Sequence, residues 1–364
     1  MNKKNYLSLL LAAVLLITPT PIFAYDGALN GWAYEAVGFT TPSPVAVETE
    51  TPAEVRIALI DTGVSTKRID PDLLEPGKNY VFEDAGTEDL TGHGTRVASL
   101  ILGAANETGN LPALAASAKL VPLVYYSKYP SGVPANGGIE AICRAIYDAV
   151  DLYGCKVINI SSGVIIPDDR LAEAVLYAEA NNVIVVSAVG NDHLRAPERQ
   201  YYPAAYDTVV GVGAVNEKLE LSAFSQRSNA TACAPGEYIN AVSAFSQRNS
   251  VTVCAPGEFI TVVSIKNSRF FEAVSGTSYA TAFVSALAAS LLGKYPDMTP
   301  EEFREVLKIS SRDDKPEAMP PDYNDSDKSA AYNDSGVYAL INYKNAFDCY
   351  EELISIKKET ENNG

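Results

Sequence analysis

Short apolar runs alternate with helical patterns along the middle of this chain. The runs cover residues 55–60, 120–125, 156–160, 183–188 and 208–212. The apolar spacing between them predicts helices over Thr95–Leu102, Ile139–Leu152 and Asp169–Asn181. A continuous apolar run is typical of a strand that is buried on both faces of a parallel sheet. The alternation therefore predicts an α/β fold with three layers, a doubly wound and mostly parallel sheet with helices on both faces.

Polar residues stand near the ends of these elements. Asp61 follows the first apolar run, Asn191 follows the run 183–188, and His93 lies between two glycines just before a helical pattern. Parallel sheets bind ligands at the carboxyl ends of their strands. Each residue also has an ordinary explanation, as a turn or loop residue. That all three occur by accident in these positions is much less expected than a functional site.

A segment of small and hydroxyl residues leads into an Ala-rich helical run at Ser278. The free N–H groups of a first helical turn favour a developing negative charge beside them. A serine becomes a useful nucleophile when an adjacent base takes its proton. The alternative is an ordinary serine at the start of a helix. Ser278 is therefore a candidate nucleophile, with His93 and Asp61 as candidate base and orienting carboxylate.

Taken together, these motifs resemble those of the subtilisin family of serine proteases. Asp61-Thr62-Gly63-Val64, His93-Gly94-Thr95 and Gly276-Thr277-Ser278 are similar to the aspartate, histidine and serine motifs of that family. Asn191 matches its oxyanion asparagine, and the resemblance extends over about residues 54–348. It implies that Ser278 attacks the peptide carbonyl, that His93 transfers the proton, and that Asp61 orients His93. It also implies that the Asn191 side chain and the Ser278 N–H bind the oxyanion.

The resemblance also indicates where a peptide substrate would lie. A substrate strand would pair along Ser161–Gly163, and the loop Asp192–Tyr201 would help to form the primary pocket. The peptide bond Tyr202–Pro203 resembles a cis-proline site of the family. The predicted substrate-binding residues are Ser161, Ser162, Gly163, Ala188, Val189 and Gly190.

The ends of the chain suggest export. Residues 1–24 have a basic start, a short apolar run and a final alanine, which is typical of a secretory signal peptide. Residues 25–53 form a short lead-in that we expect to be poorly ordered, and they are too few for the family's folded pro-domain. The catalytic domain is expected over residues 54–348, with an acidic insertion at 313–336, followed by a charged tail at 349–364 that we expect to fray from Glu351.

Composition narrows the range of partners. The net charge of −17 argues against nucleic acid and anionic membrane surfaces as partners. We expect a secreted monomer that acts on a peptide or protein substrate and has no membrane anchor. Five cysteines leave at least one thiol unpaired within the chain.

The chemistry requires no cofactor, but a structural Ca²⁺ is considered at one place. Asp72 and the loop from Asn106 to Asn110 resemble the calcium region of the family, and Ca²⁺ prefers such oxygen ligands. The metal candidates are Asp72, Asn106 and Asn110. The acidic residues at 313–336 are a weaker alternative, since a solvated surface insertion explains them better.

One segment occurs twice with an offset of 21 residues. Ser222–Arg227 recurs as Ser243–Arg248, and Cys233–Glu237 recurs as Cys254–Glu258. A single duplication over 222–263 is too limited for a repeat protein. We expect one copy in the usual place of the family segment and the other as an added surface hairpin. Cys233 and Cys254 could then form a disulfide with each other. The favoured interpretation is that at least one of them is a buried free thiol.

Three other functions stay open at this point. An aspartic protease also carries an Asp-Thr-Gly motif, but it needs an all-β fold and a second copy of that motif. A catalytically dead binding module on the same fold is disfavoured by the complete set of motifs. A dedicated protease that trims a leader or precursor would use the same chemistry on a narrower substrate.

Overall fold

Nine strands of the described residues form a central sheet. In the computed structural model, the described residues are 29–39, 52–227, 251–267, 269–313 and 339–363. Their helices are α1 (Gly31–Ala36), α2 (His93–Leu102), α3 (Gly138–Asp151), α4 (Asp169–Ala180), α5 (Thr277–Lys294), α6 (Pro300–Ser310) and α7 (Tyr343–Asn363). Their strands are β1 (Val55–Asp61), β2 (Lys78–Asn79), β3 (Ala104–Asn106), β4 (Gly109–Leu111), β5 (Ala118–Val124), β6 (Tyr126–Lys128), β7 (Pro134–Asn136), β8 (Val157–Ile160), β9 (Ile184–Ala188), β10 (Val210–Val215), β11 (Val251–Pro256), β12 (Ile260–Val263), β13 (Phe271–Val274), β14 (Arg312–Asp313) and β15 (Ala339–Leu340).

The strands of the central sheet follow the order β14-β15-β11-β10-β9-β8-β1-β5-β2. All neighbouring pairs are parallel except β14 and β15 at one edge, which are antiparallel. The predicted fold class is therefore confirmed. Each apolar run of the sequence lies in a strand of this sheet, with boundaries shifted by no more than a few residues.

Alternate residues of β1 face opposite helical layers. Ile57 and Leu59 belong to the core that contains α2 and α5, while Ala58 and Ile60 belong to the core that contains α3 and α4. Successive side chains of a strand point to opposite faces, so a strand between two helical layers must be apolar throughout. This is why β1 appears in the sequence as an unbroken apolar run. Strand β1 ends at Asp61, at the edge of the sheet where the candidate site residues lie.

Helix α5 is buried on all sides. Its residues are buried almost without exception from Thr277 to Gly293, and its Ala-rich sequence lets neighbouring strands and α2 pack closely. A helix that is apolar around its whole circumference has no solvent face. The start of α5 at Thr277 is consequently held from several directions at once.

The lead-in segment contains an ordered helix, contrary to expectation. Helix α1 is packed into the main core, and the aromatic ring of Tyr34 lies 6.2 Å from the ring of Phe283 in α5. The Tyr34 hydroxyl donates to Pro112 O at 3.1 Å, and Tyr343 N donates to Val37 O at 2.8 Å. Residues 29–39 are thus part of the folded domain. The prediction of a poorly ordered segment was wrong for this part of 25–53.

The charged tail is also helical. Helix α7 runs from Tyr343 to Asn363, and Tyr350 is buried with its hydroxyl 3.1 Å from Glu302 of α6. Lys294 forms a salt bridge to Glu351 at 2.7 Å. The expectation of a frayed tail from Glu351 was therefore wrong for residues 351–363, because charged residues of α7 pair with Lys294 of α5 and Glu302 of α6.

The described part of the duplicated region comes from both copies. Ser222–Arg227 of the first copy follows β10, while Val251–Glu258 of the second copy supplies β11, which pairs with β10. Residues 228–250, which include the rest of the first copy and the start of the second, lie outside the described residues, so the expectation of one copy in the usual place and one added surface hairpin stays a prediction. Cys254 is buried in β11, whereas Cys233 and residues 314–336 of the predicted insertion at 313–336 lie outside the described residues, as does the signal segment 1–24. Among the helices that the structure describes, none is long and apolar enough to cross a membrane.

Candidate active site

Asp61 and His93 form a hydrogen-bonded pair at the edge of the sheet. Asp61 ends β1 and is only 2% exposed, and His93 begins α2. The Nδ1 atom of His93 lies 2.8 Å from Asp61 Oδ1 and 2.9 Å from Oδ2. A Cβ atom on Gly94 would lie 2.2 Å from Gly63 O, so only glycine allows α2 to approach β1 this closely.

The surroundings of His93 act on its pKa in opposite directions. Burial lowers the pKa of the imidazole, but the charge and hydrogen bond of Asp61, together with the charge of Asp89, outweigh burial. The net result is a pKa above the usual 6.5. The pair with Asp61 leaves Nε2 as the ring nitrogen available to a substrate or a nucleophile.

Asp89 fixes the start of α2 and was missed by the sequence analysis. Its Oδ2 accepts from the Thr95 N–H at 2.9 Å and the Thr95 hydroxyl at 2.7 Å. Its Oδ1 accepts from the Gly92 N–H at 2.6 Å, from Thr91, and from the Thr62 hydroxyl at 2.9 Å. Thr62 in turn accepts from the Gly94 N–H at 2.9 Å. A carboxylate just before a helix is a recognisable capping signal, and this signal could have identified Asp89.

Ser278 lies in the first turn of α5, close to α2. Its Oγ donates to Ser161 O at 3.0 Å, and the side chain is 7% exposed. Tyr279, the next residue, has its ring centre 5.9 Å from that of His93. The starts of α2 and α5 thus lie side by side, with the Ser278 hydroxyl hydrogen-bonded to Ser161 rather than to His93.

A chain of buried hydrogen bonds anchors the backbone of Ser278. The Ser285 hydroxyl donates to Asn159 Oδ1 at 2.9 Å, and Asn159 Nδ2 donates to Ser161 Oγ at 2.9 Å. Ser161 Oγ then donates to Ser278 O at 3.2 Å. These bonds connect the interior of α5 to the end of β8 and fix the position of Ser278 relative to Ser161.

The side chain of Asn191 is oriented by Thr277. Asn191 Oδ1 accepts from the Thr277 N–H at 2.9 Å and from the Thr277 hydroxyl at 3.1 Å. Because both donors act on Oδ1, the orientation of the amide is determined and Nδ2 points away from them. Nδ2 lies beside Gly276, 3.5 Å from where a Cβ would stand. Thr277 belongs to the serine motif, but no sequence pattern indicates this orienting contact.

The predicted substrate-binding residues form two neighbouring segments. Ser161–Gly163 continues from β8 and Ala188–Gly190 from β9, and these strands are adjacent and parallel. The Gly190 N–H donates to the Thr277 hydroxyl at 3.3 Å, which connects the second segment to the start of α5. The Tyr202–Pro203 peptide bond is cis, as predicted.

The contacts and exposure of the residues predicted to bind calcium do not favour a metal site. Asn106 Oδ1 accepts from the N–H and hydroxyl of Thr108 at 2.8 and 2.7 Å, which closes the turn between β3 and β4. Asp72 and Asn110 are exposed. Across the described ranges, no group of three or more His, Cys, Asp or Glu side chains comes together. The calcium site stays a prediction, and no step below depends on it.

Comparisons with known proteins give a consistent result. The sequence model of the subtilase family matches residues 53–333. Mycosin-4 of Mycobacterium tuberculosis is 32% identical over 70% of this chain and 59% of its own length, so the chain spans well under two thirds of that relative. Subtilisin DY of Bacillus licheniformis is 30% identical over 71% of this chain and 84% of its own length.

Among solved structures, the prenylagaramide maturation protease PagA shares the fold with a TM-score of 0.58. It is 22% identical, and the match covers 81% of this chain and 92% of that one. The mostly parallel sheet excludes the all-β aspartic protease alternative. The family match over most of the chain, together with the fold, shows that this chain is a member of the subtilase family.

Proposed function

We propose that this protein is a serine endopeptidase in which Ser278, His93 and Asp61 form the catalytic triad. The observation that supports this most directly is the Asp61–His93 pair, with contacts of 2.8 and 2.9 Å, beside the first turn of α5. The pair holds one tautomer of the imidazole and leaves Nε2 able to accept a proton. The set of groups fits acyl transfer to a serine.

The reaction begins with a rotation of the Ser278 hydroxyl from Ser161 O toward His93 Nε2. As Oγ bonds to the substrate carbonyl carbon, its proton passes to Nε2, and the carbonyl oxygen becomes negative. Asn191 Nδ2 and the Ser278 N–H stabilise this oxyanion. The C–N bond then breaks, and the leaving amine takes the proton from His93.

Water completes the cycle. It attacks the acyl carbon while His93 accepts its proton, and the bond to Ser278 Oγ breaks as His93 returns the proton to Oγ, which releases the acid product and restores the hydroxyl. The positive imidazolium that forms in each half of the cycle is stabilised by Asp61, which stays ionised.

The nucleophile is tested by Ser278→Ala with Ser290→Ala as the control. Both serines lie in α5, but the Ser290 hydroxyl contacts Leu114 O and is distant in sequence from the motif. We expect Ser278→Ala to abolish hydrolysis of a protein substrate and labelling by a phosphonyl fluoride, while Ser290→Ala keeps both. Mass spectrometry of the labelled protein identifies the modified residue. A folded Ser278→Ala variant with normal turnover, or a wild type that is neither labelled nor active, would contradict the proposal, and the second result would favour a binding module.

We also propose that the protein is exported. Residues 1–24 have the composition of a secretory signal, and relatives of the chain include subtilisins. The test is a fusion of residues 1–24 to a reporter that is active only after export. Retention of the reporter inside the cell would contradict this part of the proposal.

A further inference from the structure

We use the name primary pocket for the space between two segments, Ser161–Gly163 and Ala188–Gly190. The two segments leave the sheet side by side, because β8 and β9 are paired in register up to Ile160 and Ser187. Ser278 Oγ contacts one segment and Asn191 follows the other. A peptide that pairs along Ser161–Gly163 and brings its carbonyl to Ser278 therefore directs the side chain before the scissile bond into this pocket.

The ring of Tyr201 lies against both glycines of the primary pocket. A Cβ atom on Gly190 would lie 2.4 Å from Tyr201 Cδ2, and one on Gly163 would lie 3.3 Å from Tyr201 Cδ1. Since Cδ1 and Cδ2 are on opposite edges of the ring, the ring spans the distance between the two segments. The absence of side chains at both glycines makes room for this one tyrosine.

The ring is held in place at its hydroxyl. Tyr201 Oη donates to Asp192 Oδ2 at 2.5 Å, and Arg199 Nη1 donates to the same oxygen at 2.7 Å. The hydrogen bond from Tyr201, followed by that from Arg199, lowers the pKa of Asp192 and keeps it an acceptor at neutral pH.

The backbone around Tyr201 is also fixed. Val164 and Tyr202 exchange two backbone hydrogen bonds of 2.9 and 2.8 Å, which places Tyr201 next to Gly163. The Gln226 amide, which is buried, donates to the carbonyl oxygens of Ala196, Pro197 and Arg199 and so ties down the loop that carries the tyrosine. Moving this backbone away from the pocket would break these bonds, and rotating the ring out of the pocket would break the Tyr201–Asp192 hydrogen bond.

We propose that Tyr201 is a specificity-determining residue that restricts cleavage to bonds after small residues, namely glycine, alanine and serine. The proposal rests on the proposed peptidase function. A larger side chain before the scissile bond would meet the ring before its carbonyl reached Ser278. Such an enzyme suits a substrate with a defined cleavage site better than general digestion of protein.

The test compares two peptides that differ only in the residue before the scissile bond, alanine or phenylalanine. The kcat/KM of each is measured for the wild type, Tyr201→Gly and Tyr201→Phe. We expect the wild type to prefer alanine by about tenfold or more, the scale on which pocket shape discriminates side chains. Tyr201→Gly should lose or reverse the preference because the pocket opens. Tyr201→Phe is the matched control, and it should keep the preference because the ring remains.

The outcomes separate the two proposals. Ser278-dependent cleavage with no preference for alanine in the wild type overturns the role of Tyr201 alone, as does an unchanged ratio in a folded Tyr201→Gly variant. If Tyr201→Gly does not fold, Tyr201→Ala takes its place, and the wild-type ratio still decides. No cleavage of any peptide or protein, with no label on Ser278, overturns the peptidase function itself.

Discussion

At the scale of single residues, the position of His93 depends on Asp89 as well as on Asp61. Asp61 contacts the ring, while Asp89 holds the backbone of the first turn of α2 and the Thr62 hydroxyl. Asp89 also contributes its negative charge to the raised pKa of His93. The two carboxylates therefore have different tasks, one acting on the imidazole directly and the other acting on the helix that carries it.

Neutralising Asp89 should change the pH dependence of catalysis. His93 must be neutral to accept a proton, so kcat/KM is lost as pH falls through its pKa. Asp89→Asn removes a charge that raises this pKa, so the acid limb of the pH profile should move to lower pH, with a reduced kcat. Loss of the charged hydrogen bonds should also lower the free energy of unfolding by about 1.5–3 kcal/mol.

Glu88→Gln is the matched control for this prediction. Glu88 is the neighbouring carboxylate, but it accepts from Ser65 and Thr66 rather than from α2. Its pH profile should resemble that of the wild type. If the acid limb of Asp89→Asn stayed in place or moved to higher pH, the assigned influence of Asp89 on His93 would be incorrect.

The candidate site residues differed in how visible they were in the sequence. Asp61, His93, Asn191 and Ser278 occupy strand ends and helix starts, which a pattern of apolar runs can locate. Thr277 acts through a contact with Asn191, which is 86 residues away in the sequence. Tyr201 contacts two glycines that belong to different segments. Contacts of this kind form only when elements distant in the sequence pack together, so no local sequence pattern predicts them.

At the scale of elements, the strands and long helices were predictable while α1 was not. The buried strands are apolar on both faces and therefore appear as continuous apolar runs, and α2, α3 and α4 have clear helical spacing of apolar residues. Helix α1 has only six residues, too few for a periodic signal, and an isolated helix of this length is unstable in water. It is stabilised instead by packing of Tyr34 against Phe39 and Phe283.

Removing the Tyr34 side chain should therefore destabilise the whole domain. Tyr34 is 4% exposed, and truncation of a buried aromatic residue costs about 3–5 kcal/mol. We expect Tyr34→Ala to lower the free energy of unfolding, measured in urea, by an amount in this range. Glu35→Ala changes the exposed neighbour on the same helix and should have an effect within about 0.5 kcal/mol. Equal stability of the two variants would mean that α1 is not part of the cooperative core.

At the scale of the whole molecule, the duplication has left the central sheet undisturbed. Residues 222–227 and β11 come from different copies, yet β10 and β11 pair over six residues in continuous register. The sequences Ser222–Arg227 and Ser243–Arg248 are identical. Deletion of residues 228–248 therefore restores a one-copy sequence and retains every residue that the structure describes.

We expect the deletion of residues 228–248 to leave kcat/KM close to the wild-type value. Shortening a connection costs little and commonly stabilises a protein slightly, since loop closure entropy changes slowly with length. Thermal unfolding and peptide hydrolysis are the measurements. The deletion of residues 243–263 is the informative comparison, because it removes β11 and β12 and leaves only the first copy to replace them. A soluble but inactive 228–248 deletion would show that the extra segment contributes to the active site.

The packing of α1 has a consequence for the order in which the enzyme matures. Helix α1 lies near the beginning of the chain, but the groups that enclose it include Phe283 and the N–H of Tyr343. If the chain is threaded through a membrane from its N-terminus, Asp61 and His93 emerge long before these partners do. If the proposed export takes place, the packing of α1 against its partners is complete only after nearly the whole polypeptide has passed. The core that supports the proposed triad, and with it the proposed proteolytic activity, would then be completed only after passage.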